Sequence, residues 1–145
     1  MSISQDENLN LIRESIRALC QDFPESYWRE IDEKEEYPED FINALIRDGW
    51  LSVLIPEEYG GAGLSIVEAS IILEEINRSG CNAQAGHAQM YTMGALLRHG
   101  NEEQKKRWLP DIASGKLRLQ AFGITEPTAG SDTTSISTFA ERKGD

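Results

Sequence analysis

The stretch that decides the fold is IPEEYGGAGLSIVEASIILEEI, residues 55–76. Its first half holds three glycines within positions 60–63, which predicts a loop whose backbone adopts conformations that side chains disfavour. Ser65 and Glu68 then have the spacing of a capping box, which predicts the start of a helix. The helix that follows, through Ile76, is apolar on most sides, as expected of a helix at the centre of a domain.

Two further helices are predicted on the N-terminal side of this central helix. Residues 4–7 repeat the capping-box spacing, and apolar residues recur every three or four positions over 9–19, so we predict a first helix that Pro24 ends. A second helix is predicted to start at Pro38, because the first turn of a helix does not need the amide hydrogen that proline lacks. Gly49 is a suitable C-terminal stop for it.

Two more helices are predicted on the C-terminal side. Residues 83–99 are mostly small or adaptable, and Gly100 ends their helical pattern. Small residues allow close helix packing or leave room for a ligand. The next helix is predicted to start at Asn101, with acidic residues in its first turn and basic residues later, which complements the helix dipole. Pro110 and Gly115 bracket its end.

The periodicity then changes to that of a strand. Apolar and polar side chains alternate from residue 117, and 135–142 resembles a second strand after a loop over 125–132. One or two strands do not form a stable sheet on their own, so we expect them to open an incomplete domain. The sequence therefore predicts a mostly α fold, with a helical bundle over 1–116 and the start of a β domain over 117–145.

The composition excludes several classes of protein. The 145 residues are 39% hydrophobic and 27% charged, and their net charge of -11 argues against nucleic-acid binding. Residues 22–40 hold nine acidic residues against two basic ones, which predicts a solvated surface segment, with a docking surface as the alternative. No apolar run is long enough to span a membrane, and residues 1–21 do not resemble a secretory signal.

The two cysteines and two histidines do not form a metal-binding pattern. Cys20 and Cys81 are far apart in the sequence, and neither they nor His87 and His99 have the spacing of zinc ligands. We predict reduced, buried thiols, as in a cytoplasmic protein. The glycine loop at 60–63 is predicted to be a connector, because it lacks the lysine and hydroxyl residue of a phosphate-binding loop.

Two motifs go beyond these general features. Residues 122–132, FGITEPTAGSD, closely resemble the flavin-loop signature of the acyl-CoA dehydrogenase family, and residues 55–65 resemble a second signature of that family. The resemblance extends over essentially all 145 residues. It implies an N-terminal helical domain, a middle β domain and a C-terminal four-helix domain, of which this chain would hold the first and the opening strands of the second.

The resemblance implies an FAD-dependent oxidation of the α,β-bond of an acyl-CoA thioester. In the family a carboxylate removes an α-proton while a hydride passes from the β-carbon to the flavin. The matching carboxylate lies outside this chain, so no catalytic residue is assigned and the isolated chain is expected to be inactive. The implied partners are the acyl-CoA substrate, an electron-transfer flavoprotein as acceptor, and further copies of the chain in a dimer or tetramer.

The resemblance also implies which residues form the binding site. The isoalloxazine ring of a flavin needs hydrogen bonds along one edge and an apolar face. Ser131 is implied to touch the CoA arm as well, and Thr128 stands where many relatives have glycine. The implied FAD contacts are Phe122, Gly123, Ile124, Thr125, Gly130 and Ser131, and the candidates that border the acyl pocket are His87, Met90, Tyr91 and Gly94.

Alternatives remain open at this point. The helix over 83–99 could serve ordinary packing, with methionine as a gap filler. The chain could come from a related acyl-CoA oxidase or flavin monooxygenase, since the choice of electron acceptor depends on residues outside it. It could also be a non-catalytic helical remnant, or an interaction subunit that packs against a longer homologue.

Overall fold

The central helix begins where its capping box predicts. The computed structural model of the protein describes residues 5–144. The Ser65 hydroxyl accepts a hydrogen bond from the Val67 N–H at 3.2 Å, and the Glu68 carboxylate accepts one from the Ser65 N–H at 2.9 Å. The helix covers Ile66–Arg78. Ile72 and Ile76 are fully buried, but Ile66 is 69% and Val67 is 45% exposed, so the predicted burial holds for the later turns and not for the first two residues.

The described residues form six α-helices and three short 3-10 helices. The five helices predicted from periodicity are all present, and one further helix, the second, was not predicted. The capping residue predicted for the first helix, Ser4, lies outside the described residues. The α-helices are α1 (Gln5–Gln21), α2 (Glu25–Glu33), α3 (Glu39–Arg47), α4 (Ile66–Arg78), α5 (Gln84–His99) and α6 (Glu102–Ala113), and the 3-10 helices are Trp50–Ser52, Glu57–Tyr59 and Thr133–Ser135.

The unpredicted helix, α2, forms the acidic surface of the chain. None of its residues is buried, so the segment lies at the surface of the chain, as both interpretations of its charge require. An ion pair between Glu25 and Arg29, one turn apart and 2.5 Å in length, supports the helix along its exposed side. On the other side the Trp28 ring packs edge-on against Phe41 of α3, with ring centroids 4.9 Å apart. A half-buried aromatic contact therefore attaches an otherwise polar helix.

A buried carboxylate joins α1 to α4. The Glu75 side chain has no exposed surface, and it lies 2.7 Å from the Arg17 Nε and 2.5 Å from the Arg13 Nη1. The hydrogen bond from Arg17, together with that from Arg13, outweighs burial and lowers the pKa of Glu75 to about 2. The carboxylate therefore stays charged in the interior because two guanidinium groups satisfy it.

The segment before α4 and the last two helices form a smaller apolar cluster. A Cβ atom at Gly61 would lie 2.1 Å from the Ile55 carbonyl oxygen, so the predicted glycine loop folds back on itself at a point that only glycine fits. The Tyr59 hydroxyl donates to the Glu102 carboxylate at 3.2 Å and ties this loop to α6. The buried members of the cluster are Ile55, Tyr59, Met93, Leu109 and Ile112.

The start of α6 also follows its sequence signal. The Asn101 side chain accepts from the Gln104 N–H at 2.8 Å, and the Gln104 side chain accepts from the Asn101 N–H at 2.9 Å. The helix ends at Ala113, between the predicted limits of Pro110 and Gly115. Two reciprocal hydrogen bonds therefore start α6 at the residue that the sequence indicates.

The two strands predicted after residue 116 do not form among the described residues. The backbone over 117–144 makes no strand ladder, and its only isolated bridge joins Glu126 to Ala129. A ladder needs partner strands, and alternation of side chains alone does not supply them. The segment instead lies against the helices: the Leu117 N–H donates to the Asp111 carbonyl at 3.0 Å, and Leu119 packs on the smaller cluster.

Two other predictions can be compared with the structure. Cys20 and Cys81 are both buried and free, as predicted. They are near each other in space, since the Cys81 Sγ lies 3.9 Å from the Cys20 carbonyl oxygen. Within residues 5–144, no helix has both the length and the apolar character that crossing a lipid bilayer requires.

The first testable prediction concerns the charge on Glu75. Glu75→Gln should lower the free energy of unfolding by roughly 2 kcal/mol, because a neutral amide replaces a buried acceptor of charge-assisted hydrogen bonds. Glu74→Gln is the matched control: Glu74 is exposed, and within residues 5–144 its one ion pair is with Arg13, at 3.0 Å. Its change should stay within about 0.5 kcal/mol. Urea denaturation at neutral pH measures both, and equal effects of the two variants would contradict the prediction.

The second prediction concerns the pH dependence of the same contact. The pKa of Glu75 is about 2 in the folded chain and lies below its ordinary value. Its contribution to stability is therefore present above the ordinary carboxyl pKa and is lost as the pH falls toward about 2. The stability gap between wild type and Glu75→Gln should be widest near neutral pH and should narrow below about pH 5. A gap that stays constant in urea denaturation from about pH 7 to pH 3 would show that Glu75 does not titrate as described.

Candidate functional site

The loop over 122–132 is closed by its own backbone. The Glu126 N–H donates to the Ala129 carbonyl at 2.9 Å, and the Ala129 N–H donates back to the Glu126 carbonyl at 3.2 Å. Pro127 and Thr128 form the tip of this tight turn, and Ala129 is buried beneath it. The turn is therefore fixed locally, and Thr128 fits at its tip.

The Glu126 carboxylate attaches the loop to the segment that follows. It accepts hydrogen bonds from the Ser137 N–H and hydroxyl, both at 2.9 Å, and from the Thr138 N–H at 2.8 Å. The side chain of Thr138 and the backbone N–H groups of both residues lower the pKa of Glu126 to about 2. The oxygens of this carboxylate therefore already accept hydrogen bonds from the segment after the loop. The carboxylate is not a candidate general base.

The first four residues of the loop are exposed. Phe122 is 54% exposed and Ile124 is 44% exposed, which leaves two apolar surfaces accessible next to each other. The Thr125 hydroxyl and amide make no hydrogen bond within residues 5–144. A Cβ atom at Gly123 or Gly130 would meet nothing within 4 Å, so this chain itself gives no steric reason for either glycine.

Helix α5 meets the loop through a chain of aromatic rings. The His87 and Tyr91 rings lie one helical turn apart and pack edge to face, with centroids 5.1 Å apart. Tyr91 in turn packs edge to face against Phe122, with centroids 4.8 Å apart. The structure therefore brings together two of the predicted acyl-pocket residues and the first residue of the predicted flavin loop.

Two clefts lie on either side of this ridge of rings. The larger has a volume of about 420 Å³ and the smaller about 200 Å³, and His87 and Tyr91 line both. The larger cleft is lined by Tyr37, Pro38, Asn82, Gln84, Ala85, His87, Ala88, Tyr91 and Gln120. The smaller cleft is lined by Leu54, Ile66, Ala69, Ser70, Leu73, His87, Met90 and Tyr91.

The other two acyl-pocket candidates differ in their surroundings. Met90 is 5% exposed and belongs to the main apolar core as well as to the smaller cleft, so packing is its principal contact. Gly94 lines neither of the two clefts, and a Cβ atom there would meet nothing within 4 Å. Both remain predictions as substrate contacts.

Sequence reasoning missed several residues that line the larger cleft. Gln84 and Ala88 lie three residues before His87 and Tyr91, so helical spacing from the predicted pair would have found them. Tyr37 reaches the cleft from the segment before α3 and has no comparable sequence signal. Burial raises the pKa of Tyr37, against the lowering effect of its hydrogen bond to Gln120 and of the nearby Arg118.

The linings of the two clefts contain no carboxylate and no cluster of metal-binding side chains. Neither of them is lined by an aspartate or a glutamate. No group of three or more histidine, cysteine, aspartate or glutamate side chains within residues 5–144 could hold a metal ion. The arrangement can bind a ligand through apolar, aromatic and neutral polar groups, and it has no carboxylate of its own.

Known proteins that are similar to this chain indicate its family. The family model described as "Acyl-CoA dehydrogenase, N-terminal domain" matches residues 6–116. Probable acyl-CoA dehydrogenase FadE25 of Mycobacterium tuberculosis is 39% identical over 136 residues, which are 92% of this chain and 34% of the relative. The chain therefore spans about a third of the length of this curated relative.

Two solved structures share the fold. The prolyl acyl carrier protein oxidase AnaB superposes with a TM-score of 0.81 at 27% identity, over 98% of this chain and 38% of its own. An acyl-CoA dehydrogenase complexed with FAD, from Bacillus anthracis, superposes with a TM-score of 0.76 at 30% identity, over 89% of this chain and 22% of its own. Because the family model covers most of its length, the chain belongs to the acyl-CoA dehydrogenase family.

Proposed function

We propose that this chain supplies one wall of the FAD and acyl-CoA site of an acyl-CoA dehydrogenase, which oxidises the α,β-bond of an acyl thioester. The observation that carries the proposal is the ring contact between Tyr91 and Phe122, at 4.8 Å. It places the exposed loop over 122–132 next to both clefts of α5. A flavin held by the loop and an acyl chain held by α5 would then be neighbours.

The residues of the loop fit a flavin. Phe122 and Ile124 offer exposed apolar surface for the face of an isoalloxazine ring. Thr125 offers a hydroxyl and a backbone N–H that have no partner within residues 5–144. The open space around Gly123 and Gly130 allows a close approach of the backbone to a ligand. FAD, when bound, would accept the hydride lost from the β-carbon.

Thr125 has the most specific role in the proposal. A donor aimed at the edge of the ring where negative charge develops stabilises the transition state more than the ground state. The Thr125 hydroxyl is free to take that direction, because no group within residues 5–144 holds it. Its neighbour Glu126 keeps the loop in place, since its carboxylate is bound by Ser137 and Thr138.

The acyl group is proposed to lie along α5. His87 and Tyr91 separate the two clefts and therefore determine the width available to a chain on either side. Ser131 is exposed at the far end of the loop, where it can meet the CoA arm. The catalytic carboxylate is proposed to come from outside this chain, because neither cleft has one and Glu126 is occupied.

The assembly and partners are part of the same proposal. We expect a dimer or tetramer of complete subunits in the cytoplasm, with electron-transfer flavoprotein as the acceptor of electrons. The buried, free thiols of Cys20 and Cys81 are compatible with a reducing compartment. The similarity to AnaB favours one alternative, an oxidase that passes electrons to oxygen. Comparing electron-transfer flavoprotein, a dye and oxygen as acceptors distinguishes the two.

The third prediction tests the proposed function with a chimera. Residues 1–145 are joined to the part of M. tuberculosis FadE25 that lies beyond its matching segment, and FadE25 itself is the control. The chimera should bind FAD stoichiometrically and reduce a dye with an acyl-CoA, whereas the 145-residue chain should bind FAD weakly and stay inactive. A chimera that folds by circular dichroism but retains no FAD would overturn the assignment of the flavin loop.

The fourth prediction isolates the Thr125 hydroxyl. In the chimera, Thr125→Val keeps the shape of the side chain and removes the donor, so FAD should still bind. Flavin reduction should slow by about tenfold to a hundredfold, which is less than the loss of a fully preorganised donor because backbone N–H groups share the charge. Thr133→Val, beyond the loop, is the matched control. Equal reduction rates in stopped-flow for Thr125→Val and wild type would make Thr125 a turn residue only.

A further inference from the structure

The lining of the larger cleft combines polar and apolar groups. The Tyr37 hydroxyl and the Gln120 amide lie together in it, and its other polar side chains are Asn82, Gln84 and His87. The Tyr37 hydroxyl donates to the Gln120 Oε1. A ligand that extends along α5 in this cleft can reach the pair.

A buried glutamine fixes the direction of these hydrogen bonds. Gln89 of α5 has no exposed surface, and its Nε2 lies 3.5 Å from the Leu51 carbonyl oxygen. A carbonyl can only accept, so Gln89 must turn its NH₂ toward Leu51 and its oxygen toward Gln120. The Gln120 Nε2 accordingly donates to the Gln89 Oε1 at 3.2 Å.

The hydrogen bonds of Gln120 extend this direction to the cleft. Because Gln120 uses its NH₂ toward Gln89, its oxygen faces Tyr37 and accepts the only hydroxyl hydrogen that Tyr37 has. The Arg118 side chain donates to the Tyr37 oxygen, so one lone pair of that oxygen and the second N–H of Gln120 are left for a ligand. The cleft thus presents one acceptor and one donor side by side.

The surroundings of this pair carry little net charge. The Arg118 guanidinium lies 6.0 Å from the centre of the Tyr37 ring, and Glu39 neutralises it at 2.9 Å. Asn43 accepts a further hydrogen bond from Arg118 at 2.6 Å. A cation that is already paired offers little attraction to a carboxylate, so the cleft favours a neutral tail over a charged one.

We propose that this cleft selects an acyl group whose distal end carries a neutral donor and acceptor, such as a primary amide or a hydroxyl. The proposal rests on the proposed function, because it assumes that the acyl chain lies along α5. A purely aliphatic tail would cover the Tyr37 oxygen and the Gln120 N–H without pairing them, and a site built from polar groups rejects such a ligand for that reason.

The test measures binding to the 145-residue chain by NMR, so it does not depend on catalysis. Three pantetheine thioesters are titrated: 5-amino-5-oxopentanoyl, its aliphatic isostere 5-methylhexanoyl, and 4-carboxybutanoyl with an anionic tail. The amide should bind about tenfold more tightly than the isostere, as two added hydrogen bonds allow, and more tightly than the carboxylate. Amide signals of Ala88, Tyr91 and Gln120 should shift.

Variants then test the two groups that are proposed to select the tail. Tyr37→Phe and Gln120→Leu should each reduce the preference for the amide to about threefold or less. Tyr59→Phe removes a hydroxyl that bonds Glu102 on the other side of α5 and should leave the preference unchanged. Circular dichroism checks that each variant is folded.

The outcomes separate this inference from the proposed function. If the amide and the isostere both shift the cleft signals with equal affinity, the cleft binds acyl groups and the selection for a polar tail is wrong. Tighter binding of the carboxylate than of the amide would also overturn the selection for a neutral tail. If none of the three thioesters shifts these signals, the placement of the acyl chain along α5 is wrong, and this inference fails with it.

Discussion

A carboxylate without solvent access determines how this chain packs. Glu75 lies between Arg13 and Arg17 at 2.5 and 2.7 Å, and it is the only fully buried acidic side chain in residues 5–144. Apolar packing alone would allow α1 to slide or rotate on α4, because the hydrophobic effect has no direction. A buried charge with two partners allows one register, since any shift would leave it unpaired at a cost of several kcal/mol.

Helix α4 also takes part in the candidate site. It supplies one side of the smaller cleft and α5 supplies the other, so the distance between these two helices sets the width of the cleft. The segment after α6 is then held on the helices by polar contacts, with Arg118 on Glu39 at 2.9 Å and Gln120 on Gln89 at 3.2 Å. Phe122 follows two residues later and reaches Tyr91, so the loop starts from a fixed point even without a sheet.

Features that depend on neighbouring residues could be predicted from the sequence, whereas contacts between residues far apart in the chain could not. A capping box predicted the start of α4, because its two partners lie within three residues, and acidic residues in the first turn indicated the start of α6. The strands predicted after residue 116 do not form, because alternating side chains indicate a strand but do not supply the partner strand that a ladder needs. The role of Glu75 could not be predicted either, since its partners lie 58 and 62 residues away and nothing local distinguishes it from exposed Glu74. In the candidate site, the resemblance to the family indicated His87 and Tyr91, whereas Tyr37 and Gln120 enter from remote segments and were not predicted.

The buried amide of Gln89 links the stability of the fold to the chemistry of the cleft. Burying an amide costs free energy that an aliphatic side chain of similar volume would not cost, and its hydrogen bonds offset that cost only in part. A leucine at this position would fill the same space, but it would leave the Leu51 carbonyl and the Gln120 amide without partners. The glutamine fixes the direction of the hydrogen bonds. It donates to the Leu51 carbonyl and accepts from Gln120, which in turn accepts from the Tyr37 hydroxyl. The acceptor that faces the cleft is therefore set by a carbonyl in the core, and the proposed ligand would meet groups whose orientation the folded helices have already fixed.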